Sequence, residues 1–303
     1  MPELPEVETV VRDLRPLAVG RSIVAVRHRK RKLRTPWNAK WNAKLAGCQI
    51  EAIRRRGKWI VIEMSGRAEG RQPPGNGITR GLTPLGSPRL LVHLGMTGQF
   101  TAMPATEPEA DHVHLVFALD DSHELRFRDV RRFGSAQLFP DAAAVEKFFI
   151  ENGLGPEPFD IDADYFRAAI RKSSRNLKAL LLDQTLLAGV GNIYADESCF
   201  RAKLHPRRPG KSLTVAEVDC LREAIEAVLT RAIEGRGSTI RDYVGGSGLR
   251  GDFQNEHAVY GRTGEPCGVC ETAIECVRLA GRSSHYCPVC QSAAKPRAAG
   301  RRG

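Results

Sequence analysis

The chain has no apolar run of about 18 residues, the length a membrane-spanning helix needs, and no basic segment followed by an apolar one at its start. Neither a transmembrane helix nor a secretory leader is expected, and a cytoplasmic location is. Acids are in short supply: 35 Asp and Glu face 46 Lys and Arg, giving +11 and a pI near 9.5. Such an excess points to a polyanion, nucleic acid first and an anionic membrane surface second. The shortage is local as well as global. Residues 65–89 hold six Gly, four Pro and four Arg but one acid, and read as an insertion in a strand connection. From Gln291 to Gly303 there are four basic residues and no acid, which reads as a disordered basic tail over 292–303. Hydrophobic residues at 42% and charged residues at 27% are ordinary globular values, so wholesale disorder is excluded.

A chain of 303 residues suggests two domains. Val7, Val10, Val11 and Leu14 recur at helical steps, with Pro2 and Pro5 at the start and Gly20 beyond the end. Strand patterns follow over 22–26, 49–54, 59–64, 90–93, 113–119 and 124–128, the last two joined as a hairpin by Asp120, Asp121 and Ser122. An N-terminal helix with an antiparallel β-sandwich is therefore expected over 1–153. Helical periodicity then takes over at 164–172, 176–183, 192–202 and 215–233, within a helical domain placed at 154–255. The fold class is α+β in two domains.

Eight cysteines do not form a disulfide framework here. Cys48, Cys199, Cys220 and Cys276 are scattered, whereas Cys267 and Cys270 and then Cys287 and Cys290 form two Cys-x2-Cys pairs, 16 residues apart. Two such knuckles make a tetrahedral four-thiolate site for one structural Zn2+, in a finger over 256–291. Four thiolates leave no open position for substrate, so zinc is not the catalyst. Arg278, Arg282 and His285 lie between the pairs.

Pro2 follows Met1 and is small enough to permit methionine removal. A terminal proline is a secondary amine, and its condensation with an aldehyde-level carbon gives an obligatorily cationic iminium, an electron sink for elimination. Glu3 and Glu6, three apart, can share one face beside that amine. The same residues also suit plain helix capping, and their type alone does not separate the two. Lys58, after Arg54, Arg55, Arg56 and Gly57, is a candidate cation for the site.

Five segments together resemble bacterial formamidopyrimidine-DNA glycosylases. They are the first ten residues, Met1 to Val10; His93-Leu-Gly-Met-Thr-Gly98; Asp129-Val-Arg-Arg-Phe-Gly134; Leu182-Asp-Gln184 through Gly189 to Glu197; and the terminal finger. The resemblance spans residues 1 to about 291. It implies base-excision DNA repair: excision of oxidised purines (8-oxoguanine, formamidopyrimidines) from duplex DNA, then strand cutting at the abasic site by β,δ-elimination. Pro2 is then the nucleophile, Glu3 the general acid, and Glu6 the support of the first turn and lesion pocket. Lys58 and Arg282 assist as proton donors and phosphate clamps. Met96, Arg131 and Phe133 fill the void left by the flipped nucleotide, with Arg131 facing the orphaned base and favouring cytosine; Arg131 and Phe133, separated by one residue, point the same way if that segment is extended. Asn192 caps the second helix of a helix-two-turns-helix element and binds phosphate with Lys178, and the loop from Gly245 to Gly251 is a lesion-pocket lid. The implied partner is damaged double-stranded DNA, bound by a monomer with no membrane. Ala110 stands where many relatives carry a histidine that contacts phosphate, a departure from the family pattern for which His112 is the candidate replacement. The other readings are an endonuclease VIII type enzyme for oxidised pyrimidines, to which Leu4 and Val7-Glu-Thr9 are less similar, and a catalytically idle zinc DNA-binding protein.

Overall fold

The computed structural model describes residues 1–29, 33–65, 87–239 and 243–292. The expectations for the 65–89 insertion and the basic tail fall almost wholly outside them.

Two compact units emerge. The first joins Met1–Gly153 to Ile233–Gln254, and the second joins Leu154–Ala232 to Asn255–Gly303. The chain thus divides after Gly153, but the expected helical domain at 154–255 needs one correction: its last stretch, 233–254, packs with the N-terminal unit. The reason is a set of contacts no local pattern can show. Ser238 N–H donates to the Glu6 carboxylate (2.7 Å), and the Tyr243 hydroxyl donates to Glu6 O (3.1 Å).

In the first unit, helix α1 (Leu4–Ala18) precedes two four-stranded antiparallel sheets. One has the order β1-β6-β7-β5: β1 (Ile23–His28), β6 (Val113–Leu119), β7 (His123–Asp129) and β5 (Gly98–Pro104). The other is β2-β3-β4-β8: β2 (Ile50–Arg56), β3 (Trp59–Met64), β4 (Arg89–His93) and β8 (Ser135–Phe139). Alternation decides which face each strand buries. Ile60 and Ile62, Leu90 and Val92, Leu115 and Phe117, and Leu125 and Phe127 meet Val7, Val10, Val11 and Leu14 of α1 in one core. Helices α2 (Lys40–Leu45) and α3 (Ala142–Glu151) complete the unit, the latter capped by Asp141, whose side chain accepts from Ala144 N–H (2.8 Å).

The second unit holds α4 (Ala163–Arg171), α5 (Leu177–Leu181), α6 (Asn192–Arg201) and α7 (Val215–Glu234), followed by the hairpin β9 (Glu275–Leu279) and β10 (Arg282–Tyr286). Between α5 and α6, Gln184 staples the double turn. Its amide donates to Leu182 O and Val190 O, and its oxygen accepts from Gly189 N–H. Glu197 binds the finger segment to α6 by accepting from the amides of Ala258, Val259 and Tyr260 (2.8–3.0 Å). Burial nonetheless pushes its carboxyl above the usual range, against the pull of those amides. Among the described residues no helix is long and apolar enough to cross a membrane.

Candidate active site and nucleic-acid interface

The N-terminal helix starts where Pro2 and Pro5 place it, at Leu4. Glu3 is its N-cap, and a reciprocal capping box forms: the Glu3 carboxylate accepts from Glu6 N–H, and the Glu6 carboxylate accepts from Glu3 N–H (2.7 Å). Both acids and Pro2 are buried, while Met1 is half exposed. The two carboxylates divide their labour. Both oxygens of Glu6 hold main-chain amides, Glu3 N on one side and Ser238 N on the other, so Glu6 braces the first turn against the 237–239 segment. Glu3 sits beside Pro2 at the helix start.

Helix α1 lies along β2. Arg15 Nε donates to Ile53 O (2.9 Å), and Arg55, paired with Glu8 (3.1 Å), also reaches Gly57 O (3.3 Å). The early turns of α1 are thus tied to the β2–β3 turn that carries Lys58, which is itself buried. Across the sheet Trp59 pairs with His93, their rings edge to face at 4.8 Å. The local sequence does not single out His93. Its Nδ1 accepts from Gly95 N–H (3.0 Å), so the neutral ring carries its proton on Nε2. Burial pushes the imidazole down to about 4, helped by the charges of Lys58 and Arg34. The neutral form is the folded form, whereas an unfolded histidine titrates near 6.5. The resulting stability is complete above about pH 6.5 and is lost as pH falls toward 4, with a slope of at most about 1.4 kcal/mol per pH unit. Urea unfolding followed by tryptophan fluorescence at stepped pH should show this component, and His93→Gln should lack it. An identical pH profile in the variant would refute the assignment.

Met96 lies on the turn between β4 and β5, and Arg131 and Phe133 lie between β7 and β8. The extended condition is not met over 131–133: the segment turns, with Arg132 at φ +58°. The turn still brings the two side chains together, the Arg131 guanidinium standing 4.8 Å from the Phe133 ring centre, both exposed. The Met96 turn is packed against this segment. A Cβ on Gly95 would come within 2.5 Å of the backbone of Phe133 and Gly134, and Gly95 has φ +63°. His112 also has positive φ (+67°), just ahead of β6, and is partly buried. Ala110 is exposed. The loop that was expected to be a lid is seated on α1. Asp13 Oδ2 accepts from Arg236 Nη2 (2.8 Å) and from Ser247 Oγ (2.9 Å), and Gly246 O accepts from Ala102 N–H (2.9 Å). A Cβ on Gly246 would stand 2.7 Å from Val10 O, so only glycine fits that approach.

In the second unit, two expectations change. Gly191, not Asn192, is the N-cap of α6; Asn192 is the first helical residue, and its amide Nδ2 donates to Ser283 Oγ (3.4 Å). Lys178 is not presented to solvent. Its side chain is fully buried, with Nζ 2.6 Å from Asp196 Oδ1 and 2.8 Å from Asn192 O. A lysine so enclosed offers its ammonium to Asp196 and Asn192 O and not to solvent. The same Asp196 accepts from Ser284 Oγ (2.8 Å), His285 N–H (2.9 Å) and the His285 ring (3.1 Å), fastening β10 to α6. Arg282, at the start of β10, is exposed.

The sulfurs of Cys267, Cys270, Cys287 and Cys290 all lie within 4.8 Å of one another. Three of the separations are 3.9, 3.4 and 3.5 Å. A tetrahedron with Zn–S bonds of about 2.3 Å has edges near 3.8 Å, so the donor set fits one zinc ion with every position filled. This is the only such cluster among the described residues. His114, two residues from His112, is buried with Nε2 2.9 Å from Asp129 O.

Residues 1–136 match the formamidopyrimidine-DNA glycosylase N-terminal domain, 154–244 the formamidopyrimidine-DNA glycosylase H2TH domain, and 264–293 the zinc finger found in FPG and IleRS. The chain is 40% identical over 295 residues to the formamidopyrimidine-DNA glycosylase of Listeria innocua, covering 96% of this chain and 100% of that protein. With the Herpetosiphon aurantiacus protein of the same name the identity is 42% over 296 residues, again 96% and 100%. The Lactococcus lactis Fpg in complex with an abasic site containing DNA superposes with a TM-score of 0.83 at 36% identity, covering 96% of this chain and 100% of that one. Its complex with an N7-benzyl-Fapy-dG containing DNA gives 0.82 at 36%, with the same coverage. The chain belongs to the formamidopyrimidine-DNA glycosylase family.

Proposed function

We propose that this protein is a base-excision repair enzyme, a bifunctional DNA glycosylase and abasic-site lyase that removes oxidised purines, 8-oxoguanine and formamidopyrimidines, from duplex DNA. The observation that carries the reading is the buried helix start, where Pro2 immediately precedes the N-cap Glu3 and both oxygens of Glu6 are committed to main-chain amides. With Met1 removed, the Pro2 amine attacks the anomeric carbon, the bond from that carbon to the base breaks, and the base leaves with the proton that the amine sheds. Glu3 supplies the proton at the sugar as the ring opens, leaving a cationic iminium on Pro2. Loss of the adjacent proton then expels the 3′ phosphate, and a second elimination expels the 5′ phosphate, leaving a one-nucleotide gap. Lys58 and Arg282 serve as the cations and proton donors that such leaving groups require.

Reaching a base in a duplex requires flipping it out. Met96, Arg131 and Phe133 fill the void, with Arg131 facing the orphaned base. His112 and Asn192 contact phosphates, and Lys178 supports Asn192 from beneath. Zinc bound by the four cysteines supplies structure alone, holding the hairpin that carries Arg282. The partner is damaged double-stranded DNA, met by a monomer, and the bacterial relatives favour the cytoplasm, on the nucleoid.

Borohydride reduction during turnover tests both chemistry and substrate. A covalent adduct is expected on duplexes carrying 8-oxoguanine opposite cytosine, and much less on an oxidised pyrimidine. The reverse preference would favour the endonuclease VIII reading, and no adduct on either, in protein shown to lack Met1, would remove the lyase.

A further inference from the structure

Asp129, the last residue of β7, is completely buried and sits where the two turns bearing Met96, Arg131 and Phe133 meet. Each carboxylate oxygen holds a different turn. Oδ1 accepts from the Thr97 hydroxyl (2.6 Å), on the turn of Met96, and Oδ2 accepts from Gly134 N–H (2.7 Å), directly after Phe133. The Thr97 oxygen in turn accepts from Arg131 N–H (3.1 Å). A hydroxyl that donates to one partner and accepts from the next fixes direction as well as distance. Asp129 is itself held from behind, its N–H donating to His112 O (3.0 Å) and its carbonyl facing His114 Nε2 (2.9 Å).

We infer that Asp129, acting through Thr97, is a positioning residue that sets which base this enzyme accepts opposite the lesion. The inference rests on the reading of Arg131 as the residue that faces the orphaned base. The Arg131 side chain leans on an exposed ring, so its aim follows its backbone, and its backbone amide is held by Thr97. Paired recognition of a base edge by arginine gives roughly 5- to 150-fold discrimination, and only while donors and acceptors stay aligned to about 0.5 Å. Releasing the amide lets Arg131 move independently of Met96 and Phe133. The preference for cytosine then falls while the chemistry at Pro2 is untouched.

The substitution that reads this most cleanly is at Thr97, because loss of the buried Asp129 charge threatens the fold. Excision of 8-oxoguanine is measured opposite cytosine and opposite adenine, with kcat and KM separated, for wild type, Thr97→Val, Thr97→Ser, Asp129→Asn and Arg131→Ala. Thr97→Val should lower the cytosine-to-adenine ratio of kcat/KM about 10-fold, mainly through KM, with abasic-site cleavage near the wild-type rate. Thr97→Ser, which keeps the hydroxyl, should preserve the ratio. If Arg131→Ala collapses the ratio but Thr97→Val and any folded Asp129→Asn leave it at the wild-type value, Asp129 only supports the fold and the inference is wrong. If Arg131→Ala itself leaves the ratio unchanged, the reading of Arg131 fails and the inference falls with it.

Discussion

A chain carrying one extra residue ahead of Pro2 should lose base release and strand cleavage together, by on the order of 10^3-fold or more, and should give no borohydride adduct. In such a chain the proline nitrogen is an amide, its lone pair delocalised into the carbonyl and unavailable for attack. Nothing else need change. Met1 already lies half exposed ahead of the buried Pro2, so additional residues have somewhere to go, and the capping box does not use the terminal nitrogen. Circular dichroism and zinc content should therefore match wild type. Two companions separate the roles at this helix start. Pro2→Gly, processed to a primary amine, should still be trapped but eliminate more slowly, because its imine must gain a proton to become the electron sink that proline reaches automatically. Glu3→Gln keeps an acceptor for Glu6 N–H but loses the acid. It should cut base release by about 10^2- to 10^4-fold while sparing much of the cleavage at a preformed abasic site. Wild-type activity from the extended chain would remove Pro2 as nucleophile.

What could be read from the sequence was whatever is encoded over a short span. The four zinc ligands sit in two local pairs, and their sulfurs meet as the spacing requires. The α1 periodicity and the prolines at its start are plain in the sequence, and the helix begins at Leu4 behind the Glu3 cap. Helix α3 carries a local signal in the sequence: Asp141, an N-cap, followed by three alanines. Strand β5 was harder. It opens on Gly98 and ends on Pro104, residues that usually interrupt strands, and is sustained by pairing along β7. The long-range items could not be read at all. The return of 233–254 to the first unit rests on Glu6 meeting Ser238, and the clamp between the wedge turns rests on Asp129 reaching Thr97. For Arg131 and Phe133, alternation places the two side chains together only if the chain is extended. They are side by side, but across a left-handed residue.

Lys178→Met should destabilise the second unit by about 3–5 kcal/mol, since it leaves the Asp196 carboxylate fully buried without its countercharge. A lysine in the run Leu177-Lys-Ala-Leu-Leu181 looks like the solvent face of a short helix, and an exposed pair would be worth less than about 1 kcal/mol. The two cases are far enough apart to distinguish. All three tryptophans lie within residues 37–59, so fluorescence follows the first unit, and hydrogen exchange of the α6 and β10 amides is the appropriate measurement. Adding Asp196→Asn to Lys178→Met should restore part of the loss, because the buried charge is gone while an amide oxygen can still accept from His285 N–H. A second consequence concerns DNA. A lysine that contacted phosphate directly would contribute about one unit to the slope of log affinity against log salt concentration. Lys178→Met, compared as folded protein at low temperature, should leave that slope unchanged even where affinity falls, because what it disturbs is the seat of Asn192 and not a phosphate contact of its own. Arg282→Ala, removing an exposed cation from β10, should lower the slope by about one with zinc retained. A Lys178→Met slope reduced like that of Arg282→Ala, with less than about 1 kcal/mol of destabilisation, would return Lys178 to the phosphate-binding surface.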